Sequence, residues 1–384
     1  MKKRNAFRRA LAVCLSLALL ASLVFAFASC GGNSKYDFEK IDTEYKGTTL
    51  YVYNWGENIS DGSEGSLNVI KAFEKVYGIK VKYDNYSTNE ELYAQLKSGA
   101  SYDVVIPSDY MIARMIKEDL LQKFDHSDLN NYANVAPEYK GLFFDPDDEY
   151  SVAYTAGMVG IVYDTTKVSE AEVAEQSWSL LWSKNYETGE LINMNNPRDA
   201  FGVTMCYLGL DVNTTDPADW KTAYDKLKEQ NGHCIYLMDE IYNKMELGNA
   251  AAAAYYAGDC LQMMQENENL AFYYPKEGTN IFVDAMCIPK NAKNVGAAKL
   301  FIDFMLDPRV ATENANYICY TSPNLAVRTN PEYDYREGTE EFKLLYELPE
   351  PYKEDPNRMQ WYHNLDDATQ KLMDDYWLEL GLEK

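Results

Sequence analysis

The chain has 384 residues, 46% of them hydrophobic and 14% aromatic, including 32 Tyr; this suits a packed globular protein of two ordinary domains and is too rich in rings for disorder. Its 60 Asp+Glu against 36 Lys+Arg give a net charge of −24, which repels nucleic acid and anionic lipid and concentrates cations nearby. Nucleic-acid binding is therefore excluded as a role.

The chain opens with Lys2, Lys3, Arg4, Arg8 and Arg9, then an apolar run from Ala10 to Phe27 broken only by Ser16 and Ser22, then Ala28, Ser29 and Cys30. Charge, apolar run and small residues in that order predict a signal peptide over 1–29. Cys30 directly after the small residues resembles the bacterial lipobox, with Phe27 where Leu is usual; this implies cleavage before Cys30 and lipidation of it. An uncleaved membrane anchor is the alternative, because the run just reaches spanning length. Either reading places the rest outside the cytoplasm, held at the membrane. Without the first 29 residues the Lys+Arg count falls from 36 to 31 against 60 acids, a net charge of about −29. Residues 30–46 read as a polar tether.

Thr49 to Tyr53 is a short β-type run ending at Asn54-Trp55-Gly56. Leu67, Ile70, Phe73 and Val76, three apart and closed by Gly78, predict a helix. Ile79 to Tyr83 alternates as a strand does, and Ser87-Thr88-Asn89-Glu90 has capping-box form and opens a second helix that Gly99 ends. Tyr102 to Ile106 then reads as a strand stopped by Pro107-Ser108. This β-α-β-α-β order predicts a parallel, doubly wound sheet. Val152 to Tyr154 and Gly160 to Tyr163 are strand-like. Asp216-Pro217 starts a helix running to about Gln230. Ala250 to Tyr255 is a buried strand candidate, Gly258 to Asn267 a helix and Leu270 to Tyr274 a strand. Val295 to Leu306 is helical, Asp307-Pro308 starts another helix, and Asp366 to Leu380 is an amphipathic helix. Cys206, Cys234, Cys260, Cys287 and Cys319 have no CxxC spacing and are expected as buried thiols, with one disulfide left open.

Ligands of open parallel sheets bind at the carboxyl ends of the strands. Two such ends are polar and aromatic: Trp55 with Glu57 after the first strand, and Ser108-Asp109-Tyr110 after the third. Phe282-Val283-Asp284, if extended, turns a ring and a carboxylate to one side. That pair suits an ammonium group, the acid giving charge-assisted hydrogen bonds and the ring a cation–π contact of about 0.5–2 kcal/mol.

Tyr51-Val52-Tyr53-Asn54-Trp55, Tyr102-Asp103-Val104-Val105-Ile106-Pro107-Ser108, Pro275-Lys276-Glu277-Gly278 and Phe282-Val283-Asp284 resemble the spermidine/putrescine-binding proteins. So do Pro289-Lys290-Asn291-Ala292-Lys293-Asn294 and the run from Tyr320 to Ala326, and the similarity runs in order from about Thr49 to the last helix. The resemblance implies an α/β fold of two periplasmic-binding-protein-like lobes with a ligand cleft between them. Lobe one would be 47–154 plus 283–328 and lobe two 155–282 plus 329–384, with the hinge near Tyr154 and Phe282. It also implies a polyamine ligand, an ABC permease with its ATPase as partners, a monomer, no cofactor, no metal site and no catalysis.

Carried over by motif, Trp55 and Tyr320 match aromatics lining the cleft, and Ser108 and Tyr110 match the motif after the third strand. Asp284 matches the acid that holds an amino group, Phe282 the ring beside it, and Glu57 a further acid. Asn196 and Asp199 fall where the family keeps two acids, so one is replaced here. Tyr256 stands where Trp is common, Asn58 where Tyr is, and Trp361-Tyr362 aligns loosely with a segment offering Gln. A diamine and spermidine both stay open. Rival readings are a ferric-iron binder through Tyr255-Tyr256, which the sparse His126, His233 and His363 argue against, an oligosaccharide binder, and a secreted glycoside hydrolase. HExxH, GxSxG and P-loop motifs are absent.

Overall fold

The computed structural model describes residues 36–382. Chain contacts divide it into residues 1–39 and 40–384. Of the first unit only 36–39 are described, an irregular stretch in which the Tyr36 and Phe38 rings lie 5.9 Å apart. The expected signal peptide, Cys30 and the start of the tether lie outside the described residues. Every strand and helix among the described residues belongs to the second unit.

The first strand of that unit, β1 (Thr49–Trp55), lies between β2 (Lys80–Tyr86) and β3 (Val104–Val105), parallel to both. The helix Val69–Tyr77 connects β1 to β2 and buries Val69, Ala72, Phe73, Val76 and Tyr77. Of the stripe read from the sequence, Phe73 and Val76 are buried in it, Ile70 is half-buried, and Leu67 is buried just ahead of the helix. Asn68 opens it by accepting Lys71 N at 2.8 Å, a cap whose loss costs about 1 kcal/mol. The capping box of the next helix, Asn89–Lys97, sits one residue later than expected. Thr88 accepts Glu91 N at 3.2 Å and Glu91 Oε2 accepts Ser87 N at 3.0 Å. The third strand shrinks to two ladder residues: ahead of them the Asp103 carboxylate accepts Tyr51 N at 3.0 Å in place of a backbone carbonyl, and beyond them Pro107 supplies no N–H.

The two strand-like runs at 152–154 and 160–163 are one strand, β4 (Ser151–Asp164). Gly157 does not interrupt it: a Cβ there would stand 2.8 Å from Phe282, so the glycine lets that ring pack against the strand. Downstream come β5 (Leu191–Met194), β6 (Cys234–Leu237), β7 (Ala252–Tyr256), β8 (Leu270–Tyr273), β9 (Thr279–Cys287) and β10 (Met359–Trp361). The strand order is β2-β1-β3-β9-β4-β7-β5-β6, with β8 on β4 and β10 on β9. β4 is the joint of this arrangement. Ser151 to Met158 pairs with β9, and Val159 to Asp164 pairs with β7 and β8.

Helices after 196, 216, 256, 294 and 307 cover these strands, three of them opened by Asn196, Asp216 and Asp307 accepting the amide two residues on. Trp178, Trp220, Phe201 and Phe301 are buried among them. Cys206, Cys234, Cys260, Cys287 and Cys319 are buried thiols, none in a disulfide among the described residues. Among those residues no helix is long and apolar enough to cross a membrane.

Candidate functional site

Six strand ends converge on one cavity of about 210 Å³, below the roughly 300–1,000 Å³ of sites for drug-sized ligands, so the molecule that fits is small. β1 delivers Trp55 and, in the turn after it, Glu57 and Asn58; β2 ends in Tyr86, and β3 leads to Ser108, Asp109 and Tyr110. β5, β6 and β7 bring Asn196 with Asp199, Met238 with Asp239, and Tyr256 with Asp259. β9 crosses the floor with Phe282 and Asp284. All ten ligand positions taken from the sequence, namely Trp55, Glu57, Ser108, Tyr110, Asn196, Asp199, Tyr256, Phe282, Asp284 and Tyr320, line this cavity.

One wall is a row of rings. Phe282 lies edge-on to Tyr320 on one side, 6.3 Å between centroids, and to Tyr256 on the other, 5.6 Å. Each end of the row is tied to an acid: Tyr320 Oη donates to Asp259 Oδ2 at 2.5 Å, and Tyr256 Oη donates to Asp199 Oδ2 at 2.8 Å. Two glycines make room. A Cβ on Gly258 would meet the Tyr320 ring at 2.4 Å, and one on Gly202 would meet Tyr362 Oη at 1.9 Å. Either substitution would displace a ring that lines the cavity.

Asp284 accepts Ser108 Oγ at 2.7 Å and Thr155 Oγ1 at 3.2 Å, while Ser108 Oγ accepts Asn89 Nδ2 at 3.1 Å. A carboxylate offers about four lone-pair sites, so two remain for a donor-only group such as an ammonium. Asp109 is spent differently: its oxygens take Tyr110 N at 2.6 Å and Val283 N at 3.0 Å, pinning the β3 exit to β9. Asn196 caps its helix by accepting Arg198 N at 3.0 Å. Tyr110 Oη donates to Glu90 Oε1 at 2.9 Å. Trp55 leans on Tyr86 with centroids 4.6 Å apart.

The lining carries the carboxylates of Glu57, Asp109, Asp199, Asp239, Asp259 and Asp284 against the single guanidinium of Arg198. Arg198 is fixed by Val212 O and Asn213 Oδ1, both at 2.8 Å, and stacks 4.3 Å over the Tyr362 ring. Burial pushes Asp284 and Asp199 up to about 6 and Asp259 up to about 7. Hydrogen bonds from Ser108 and Thr155, from Tyr256, and from Tyr320 pull the same three acids back down. Burial also raises Asp109 well above the usual carboxylate range. Acids held this way gain by taking up a cation, which restores the favourable field that burial removed.

Sequence reasoning missed Asp259, Asp239, Arg198, Tyr86 and Tyr242 as lining residues. Asp239 follows β6 and Asp259 follows β7, so the strand-end rule that found Trp55 and Ser108 also covers them, provided β6 and the end of β7 are recognised. Tyr362, which aligned loosely, lies in the cavity wall.

The family of bacterial extracellular solute-binding proteins matches residues 100–340. The spermidine/putrescine-binding periplasmic protein of Salmonella typhimurium is 33% identical over 337 residues, covering 86% of this chain and 91% of the relative. The crystal structure of the spermidine/putrescine ABC transporter substrate-binding protein of Streptococcus pneumoniae is 31% identical, with a TM-score of 0.69, covering 87% of this chain and 99% of that one. A lipoprotein of Treponema pallidum is 25% identical, with a TM-score of 0.71, covering 86% of this chain and 99% of that one. The two-lobed α/β fold expected from the sequence is the fold the chain adopts.

Proposed function

The chain belongs to the bacterial extracellular solute-binding proteins, and we propose that it captures spermidine or putrescine in this cavity and hands it to an ABC permease with its ATPase. One observation carries the ligand class: the row Tyr320–Phe282–Tyr256 has a carboxylate at each end, Asp259 and Asp199, with Asp284 two residues from its central ring. Polyamines are flexible methylene chains with ammonium groups spaced along them. The rings exclude water and face the chain and its cations, and the acids accept the N–H donors. The names of the relatives support the same ligand.

The two lobes would divide near the bounds drawn from the sequence, 47–154 plus 283–328 and 155–282 plus 329–384. A division along β4 is supported by its change of pairing partners, which falls between Met158 and Val159, four residues past Tyr154. Closing the lobes over the ligand presents the closed form to the permease. Cys30 carries the lipid that holds a monomer at the membrane, in keeping with the lipoprotein among the relatives. The role is binding rather than turnover.

A thermal-shift panel tests the ligand. A ligand at one hundred times its Kd stabilises by about 2.7 kcal/mol, so spermidine or putrescine should raise the melting temperature while oligosaccharides, amino acids and ferric citrate leave it unchanged. A rise with a sugar alone would move the chain to another solute.

A further inference from the structure

β4 carries one residue too many for its ladder with β9: Ala153 faces Ala285, Thr155 faces Asp284, and Tyr154 between them has no partner. Such a bulge re-aims the extra side chain and bends the strand. The Tyr154 ring is buried and stays outside the ligand cavity. Its hydroxyl donates to the Asn58 carbonyl at 2.6 Å and accepts Asn314 Nδ2 at 2.8 Å. Asn314 Oδ1 in turn accepts the amide of Ser60 at 2.9 Å. A single relay thus grips the Asn58–Ser60 segment at both ends. Directly before it stands Glu57, whose φ of 51° is left-handed, a conformation that a non-glycine residue keeps only where its surroundings over-determine it. Glu57 and Asn58 line the cavity, whereas Tyr154 and Asn314 do not. The neighbouring Thr155 holds Asp284 Oδ2 at 3.2 Å.

We infer that Tyr154 is a positioning residue, which locks the ligand-bearing turn after β1 to the strand that both lobes share. One bulge then sets the placement of Glu57 and Asn58 through Tyr154 and of Asp284 through Thr155. Ordering the turn before the ligand arrives spares the entropy of ordering it on binding. The inference rests on the ligand site proposed above, and its test separates the two.

Tyr154→Phe keeps the ring and removes the hydroxyl that joins the Asn58 carbonyl to Asn314, leaving Asn58 O only Asn54 Nδ2 at 3.2 Å and Ser60 N its bond to Asn314 Oδ1. In ligand-free protein, hydrogen exchange of the segment 55–63 should quicken by roughly threefold or more, with the helix Pro217–Lys228 unchanged. Calorimetry with spermidine and putrescine should show affinity roughly three- to tenfold lower, the worth of one lost hydrogen bond. Asn314→Ala, which cuts the relay at its other member, should do the same and serves if Tyr154→Phe fails to fold. Tyr352→Phe is the control. It removes another buried hydroxyl, one that donates to Pro275 O at 2.7 Å, and it should lower the melting temperature while leaving affinity and turn exchange alone. Unchanged exchange at 55–63, or an equal affinity loss in Tyr352→Phe, overturns the inference. Wild-type protein that binds neither amine overturns the ligand reading instead, and the exchange measurement still decides the role of Tyr154.

Discussion

Replacing Asp284 by Asn removes the charge at the centre of the site and keeps its shape. The carboxamide oxygen can still accept Ser108 Oγ, and its amide can donate to Thr155 Oγ1, so the two hydroxyls keep partners. Ala would leave both without one. Truncating one member of a desolvated charge pair costs about 2–5 kcal/mol, so at about 1.4 kcal/mol per tenfold the affinity for a polyamine should fall at least 30-fold. The stability of the ligand-free protein should move the other way. Burial raises Asp284 from 3.8 to about 6, so its ionised form is a burden on the fold. That burden is absent below the unfolded value, grows as pH rises between the two, and is complete above the folded value. At about 1.36 kcal/mol per unit it amounts to roughly 3 kcal/mol at neutral pH. Asn escapes it. Asp284→Asn should therefore melt higher than wild type at pH 7.5 and by little or nothing at pH 4, read by scanning calorimetry beside the binding titrations. Near-normal affinity in the folded variant would refute the anchoring role. A lower melting point at pH 7.5 would make the charge structural.

Asp284 and Asp199 at about 6 and Asp259 at about 7 must be ionised to hold ammonium groups. Affinity should thus be full above pH 8 and fall as pH drops through 7 and 6, with protons released on binding at pH 6; calorimetry in buffers of different ionisation heat reads the release, and constant affinity from pH 8 to 5.5 would count against the pairing. Asn196→Asp keeps the helix cap, since Asp caps as well as Asn, and adds a charge that should strengthen spermidine binding relative to putrescine; an equal change for both says the position lies where the two bind alike. Cys30→Ala should release protein to the medium or leave an unprocessed precursor, and mature-sized protein still on the membrane would rule out lipid on Cys30.

Much of this site could be read in the sequence because its residues leave strands in short motifs. Trp55 and Ser108 follow runs whose apolar character marks a strand, and Phe282 with Asp284 share a face by simple alternation. What stayed hidden had local causes. β5 and β6 are four residues each, and β5 places a buried Asn193 in its apolar run, so neither shows a period. With them went Asp239 and the helix Pro197–Leu208, although Asn196-Pro197 has the form of a cap and first helical residue. Splitting β4 into two strands hid the bulge, because a bulge is a mismatch with a partner strand and leaves no mark within one segment. The structural duty of Asp284 was invisible for the same reason: Ser108 and Thr155 reach it from 176 and 129 residues away.

Isothermal titration of the ligand-free protein with spermidine and with putrescine at pH 7.5 tests polyamine capture most directly. A cleft that closes on one ligand should give saturable binding at one site per chain, weakened at least 30-fold in Asp284→Asn. No saturable heat with either amine, from folded protein that does titrate with a sugar or another neutral solute, would contradict it.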